Sequence, residues 1–157
     1  MKRTTTTLFA LDVFCIHFRS MKGVGVWFRV RRKRRVARRS RATQEHYRAH
    51  KERARALVHK RLIHWNAHYA CSYGRVAIRD QHTRWGSCSS KQNLNFNYRI
   101  VFLPPHLVDY IIVHELCHLL ELNHGPRFWA HVARTCPEFV AHIAELRALN
   151  MHTLGVK

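Results

Sequence analysis

The stretch from Ile111 to Leu120 is apolar except for His114, Glu115 and His118, and it sets two imidazoles four residues apart. Four residues of α-helix return to within about 40° of the same side, so in a helix both rings face one way and can share one ion. Start and stop signals frame such a helix. Pro104-Pro105 suits a first helical turn, where a missing amide hydrogen costs nothing, and Asp109 lies near the positive end of the helix dipole. Asn123, Gly125 and Pro126 break the helix after Glu121.

Glu115 sits about 100° further round, beside a shared ion rather than on it. A carboxylate there can take a proton from a metal-bound water, which makes Glu115 the candidate general base of a hydrolase. A catalytic zinc takes three protein ligands and keeps one position for water, so a third donor is needed. His124 is the leading candidate, because it follows His118 by six residues and Asn123-His124-Gly125-Pro126 can turn the chain back toward the metal. The spacing equals that of the metzincin motif, but Glu121 stands where that motif has glycine, so the turn must differ. Glu121 falls on the His114/His118 face and is a rival ligand or a partner that orients an imidazole. With 14 histidines in the chain, pairs at this spacing arise by chance more often than usual. The third histidine at its offset brings a chance origin below about one per cent.

The 157 residues suit one compact domain with an appendage, and 46% hydrophobic residues suffice for a packed core. Charge divides the chain: residues 1–61 carry 19 basic and 3 acidic side chains, residues 62–157 carry 9 and 6. Arg31, Arg32, Lys33, Arg34 and Arg35 form a block that repels itself unless an anion neutralises it, so nonspecific nucleic acid is the partner they suggest. Residues 1–42 read as a basic, disordered arm and residues 43–157 as the folded domain, with Met21 an alternative start. Five cysteines, without a Cys-x-x-Cys pair, argue against a disulfide framework or a zinc knuckle. Asp12 and His17 interrupt the early apolar stretch and no cleavage site follows it, and no run reaches the roughly 20 apolar residues of a membrane span. A cytoplasmic location is therefore expected.

From Thr43 onward Tyr47, Ala54, Leu57, Val58, Leu62, Trp65 and Tyr69 recur near the helical period, which predicts one long amphipathic helix. Arg75 to Asp80 reads as a short strand, and Asn93 to Leu103 holds a second and room for a third, with Gly86 and Ser87 to Ser90 as separator. Helices over Arg127 to Thr135 and from Pro137 onward complete an α+β order of helix, small sheet and three helices. Between the strands, Gly86 permits a tight turn, Trp85 packs, and Arg84 offers a positive fork near the metal, for substrate or for structure. Cys117, inside the helix, reads as packing, and Cys88 lacks a base.

These residues also carry a resemblance. Ile78-Arg79-Asp80, Thr83-Arg84-Trp85-Gly86-Ser87-Cys88-Ser89, Asn95, Asn97-Tyr98-Arg99, Pro104 and Asp109-Tyr110-Ile111-Ile112-Val113 before the histidine pair are part of it, with Asn123-His124, Arg127-Phe128-Trp129 and Pro137 after it. Over roughly residues 44 to 150 the chain resembles the YgjP-like metallopeptidases, relatives of the SprT-like and WLM metallopeptidases. The resemblance implies a zincin-like α+β fold, zinc on His114, His118 and His124, Glu115 as catalytic acid/base, and a peptide or protein substrate. Family members usually carry a longer β-rich segment before the first helix, where this chain has its arginine-rich stretch. Two rival functions remain. One is nucleotide pyrophosphate hydrolysis, with Arg84, Arg99 or Arg127 as phosphate clamps. The other is a non-catalytic basic nucleic-acid-binding protein with a structural zinc.

Overall fold

The structure, a computed structural model, describes residues 40–149 and Leu154. Ser40 starts the first helix: its hydroxyl accepts from the Thr43 amide at 3.2 Å, satisfying one of the amides that a helix start leaves without a partner. Helix α1 spans Arg41–Tyr69 and ends where Ala70 turns left-handed at φ 49°. The apolar period forms its inner face, with Ala54, Val58 and Leu62 fully buried and Tyr47, Leu57, Trp65 and Tyr69 packed against the core.

Three strands follow: β1 (Val76–Arg79), β2 (Gly86–Cys88) and β3 (Leu94–Asn97). Their order in the sheet is β1-β3-β2, with β3 parallel to β1 and antiparallel to β2. The strand expected at Arg75 to Asp80 is β1, and β3 lies in the Asn93 to Leu103 segment. Two details differ from expectation. The supposed separator at Gly86 is itself a strand, because Gly86 pairs opposite Phe96 and Cys88 opposite Leu94. No further strand follows β3 either, since Tyr98–Phe102 is a 3-10 helix. Asn97 causes the switch: its side chain accepts from the Arg99 amide at 3.1 Å and donates to the carbonyls of Gln81 and Arg84 at 2.7 and 3.2 Å. An asparagine that satisfies nearby backbone groups competes with a sheet ladder.

Helix α2 (Pro105–Leu120) is the centre of the molecule, buried from Leu107 to His118 except at Asp109. A helix apolar all round has to be enclosed. Here α1, β2, α3 (Pro126–Ala133) and α4 (Phe139–Ala148) surround it. Asp109 serves differently from the dipole role read from the sequence, because its carboxylate pairs with Arg61 and accepts from Trp65 Nε1 at 3.0 Å. It ties α2 to α1. No helix among the described residues is long and apolar enough to cross a membrane. Arg31, Arg32, Lys33, Arg34 and Arg35, and with them the nucleic-acid expectation, lie outside the described residues.

Arg99 donates to Asp80 at 2.7 Å, with both side chains buried, and its guanidinium lies 4.5 Å from the Tyr98 ring centroid. Removing one partner of such a pair strands the other charge in the interior. Asp80→Ala is expected to cost about 3–5 kcal/mol, read as a lower urea midpoint at unchanged slope. A loss under about 1 kcal/mol would show that Arg99 finds water when its partner is gone.

Candidate metal centre

Two ligand candidates come from a rigid element and one from a turn. His114 and His118 project from the buried helix α2, while His124 lies in the connection between α2 and α3. Their ligand nitrogens all fall within 4.8 Å of one another, and His114 Nε2 is 3.1 Å from His124 Nε2. Zinc–nitrogen bonds near 2.0–2.1 Å in a tetrahedral site put neighbouring nitrogens roughly 3.3 Å apart, which the His114–His124 distance matches. His118 Nδ1 donates to the Glu121 carbonyl at 3.1 Å, which leaves Nε2 as the nitrogen with a lone pair. The Tyr110 hydroxyl lies 3.3 Å from His114 Nδ1. Phe128, fully buried, forms a floor with its ring centroid 4.6 Å from those of His118 and His124 and 4.9 Å from that of His114.

Glu121 does not join the cluster. Its carboxylate lies 3.9 Å from Arg127, and its backbone carbonyl is the group that meets His118. The rival ligand read from the helical face is therefore a partner through its main chain, because the helix ends at Leu120 and Glu121 is already extended, at φ −138°.

Glu115 is buried, and its Oε2 has no hydrogen-bond partner. Burial pushes its carboxyl up to about 8, with the Arg84 charge pulling the other way. A carboxyl without a partner in the interior is costly unless a cation or a reacting group answers it, and a dication nearby would favour its charged form. An orphaned oxygen on the helix that carries two of the three converging imidazoles thus also fits a metal.

Gly86 explains how Glu115 is seated. A Cβ at Gly86 would lie 2.7 Å from Glu115 Cγ and Cδ and closer still to Oε1. The glycine is needed for close approach of β2 to α2, not for the turn that its neighbours suggest. Trp85 is buried in the core, as its packing role requires, and its carbonyl accepts from the Asn97 amide at 2.8 Å. Of the three arginines considered as phosphate clamps, Arg99 is taken by Asp80, Arg127 is exposed on α3, and only Arg84 acts on Glu115. The thiols are not activated: burial pushes Cys88 up to about 11 and Cys117 up to about 12.

Sequence reasoning assigned no role in the site to Phe128, Trp129 or Tyr110. Tyr110 was legible in principle, since it precedes His114 by one helical turn. The pair on α3 was not, because its nearness to the histidines depends on how α3 packs.

The family model of the YgjP-like metallopeptidase domain matches residues 20–149. Among solved structures, the chain is similar to the metallopeptidase zymogen jannalysin of Methanocaldococcus jannaschii, with 25% sequence identity over 60% of this chain and 96% of that one and a TM-score of 0.45. No curated protein matches the chain.

Proposed function

The chain belongs to the YgjP-like metallopeptidase family, and from that premise we propose that it hydrolyses peptide bonds with zinc on His114, His118 and His124 and with Glu115 as general base. The observation that carries this reading is the convergence of three imidazole nitrogens within 4.8 Å at the buried helix that also bears Glu115.

A zinc ion in this site would supply a Lewis acid for the scissile carbonyl and lower the pKa of a coordinated water to about 7. The chain's own residues do the rest. Glu115 takes the proton from the attacking water on its carboxylate and returns it to the leaving amine. Its place suits it to both steps, because it stands on the same buried helix as His114 and His118, one residue after His114. Arg84 limits the upward shift that burial gives its carboxyl. His118 is kept in the ligating tautomer by the Glu121 carbonyl. Strand β2 lies at the edge of the described sheet, next to α2, where its outer amides and carbonyls can pair with an extended peptide. A substrate in that position would run past Gly86, at the point where Glu115 meets the strand.

The purified chain is expected to hold about one zinc, to cleave peptides, to stop when a chelator removes the metal, and to resume when zinc is restored. The check is metal analysis alongside a panel of peptides and nucleoside triphosphates. Cleavage of a triphosphate but of no peptide would move the site to phosphoanhydride chemistry. Hydrolysis of nothing at full zinc occupancy would mean a structural metal.

A further inference from the structure

His124 has a harder task than its two partners. His114 and His118 are held by a buried helix, whereas His124 sits in a short connection flanked by the exposed residues Leu122, Asn123 and Pro126. A ligand on such a turn loses conformational freedom whenever it engages a metal, unless something has already fixed the turn. We propose that Trp129 is that fixing element: a positioning residue whose indole N–H pins the backbone of His124 and so sets the third ligand of the metal centre. The inference rests on the reading of His124 as a zinc ligand.

Four contacts support it. Trp129 Nε1 donates to the His124 carbonyl at 3.0 Å, so the hydrogen bond falls on the residue that must be placed. The Trp129 amide donates to the Gly125 carbonyl at 3.2 Å, closing the first turn of α3 over the same connection. The indole is itself held, because it stacks on Phe139 of α4 with centroids 5.0 Å apart and planes at 15°. Its ring also lies 5.7 Å from the His124 imidazole, at 33°. The neighbouring Phe128 meets all three imidazoles but offers no polar atom, so it can fill space without fixing the turn. The path runs from α4 through a ring stack to an N–H and then to one carbonyl. Trp129 touches no reacting atom in this scheme; it acts through His124.

The test uses the full chain and two replacements at position 129. Trp129→Phe removes the N–H and shrinks the ring. Benzothienylalanine at the same position keeps the shape and the stack on Phe139 and removes only the N–H, which covers the case in which phenylalanine folds poorly. Zinc affinity is measured by competition with a chromophoric chelator, and the site's geometry by the visible spectrum of the cobalt-loaded protein. Both replacements are expected to weaken zinc by about 10–100-fold, as loss of an outer partner of a ligand does. At saturating cobalt their spectra should shift toward that of His124→Ala. In the His124→Ala background the same replacements should change zinc affinity by less than about twofold, since the coupled residue is gone. Wild-type affinity and spectrum in both replacements would overturn the inference. So would an equal loss in the His124→Ala background, which would show that Trp129 acts through general packing. If His124→Ala itself binds zinc like the wild type, the three-histidine reading fails as well, and that outcome is read from the single variant alone.

Discussion

Glu115→Gln is expected to leave zinc content unchanged and to lower kcat for peptide hydrolysis by about 10³-fold or more. The size follows from the step removed: a positioned base contributes about 10²–10⁴-fold, and one carboxylate here serves both attack and departure. The amide matches the carboxylate in shape and cannot accept the water's proton. Glu115 is not among the three nitrogen donors, so the metal should stay. Its Oε2 makes no hydrogen bond to the rest of the protein, so no partner is stranded by the change. The measurement is kcat and KM on one peptide at matched zinc occupancy. Undiminished turnover would remove Glu115 from the reaction, whatever the metal does.

The second large effect is expected at a residue with no side chain. In Gly86→Ala the added methyl would lie 2.7 Å from Glu115 Cγ and Cδ, so either the carboxylate or the strand has to move. A displacement of about 1 Å in a reacting group costs roughly 10²-fold in rate, and forcing a methyl into a packed contact costs about 1–3 kcal/mol of stability. Zinc affinity should change little, because the nearest atoms to the added methyl belong to Glu115 and not to a histidine. The informative variant is the double one. If Gly86 acts by seating Glu115, then adding Gly86→Ala to Glu115→Gln should cost little further activity, since the group it positions no longer works. A full additional loss in the double variant would assign Gly86 to the substrate's path along β2 instead.

How much of this was legible in the chain depends on how local each feature is. Helical period alone placed His114, Glu115 and His118 on one element and gave α1 its inner face, because side-chain direction repeats with the backbone over a few residues. The α+β order of helix, small sheet and helices came from the same local signals, with Pro104-Pro105 and Gly125-Pro126 marking boundaries. Even there, a three-residue strand at Gly86–Cys88 was missed, since so short a segment shows no period and exists only because β3 lies beside it.

The choice between His124 and Glu121 was open in the sequence for a related reason. Both lie within a few residues of the helix end, and in the structure it is His124 whose ring lies against His114, with its carbonyl accepting from the Trp129 indole. The same holds for Arg99, which has the charge of a phosphate clamp and is instead taken by Asp80, just beyond the end of β1. Asp109 looked like a charge for its own helix and is a tie to α1. Periodicity therefore determined which side chains share a face of one element, including the two imidazoles, and set the carboxylate about 100° to their side. Only the tertiary structure decided what those faces meet, because the meeting of Gly86 with Glu115, or of Trp129 with His124, depends on how separate elements pack, and no repeat in the chain encodes that.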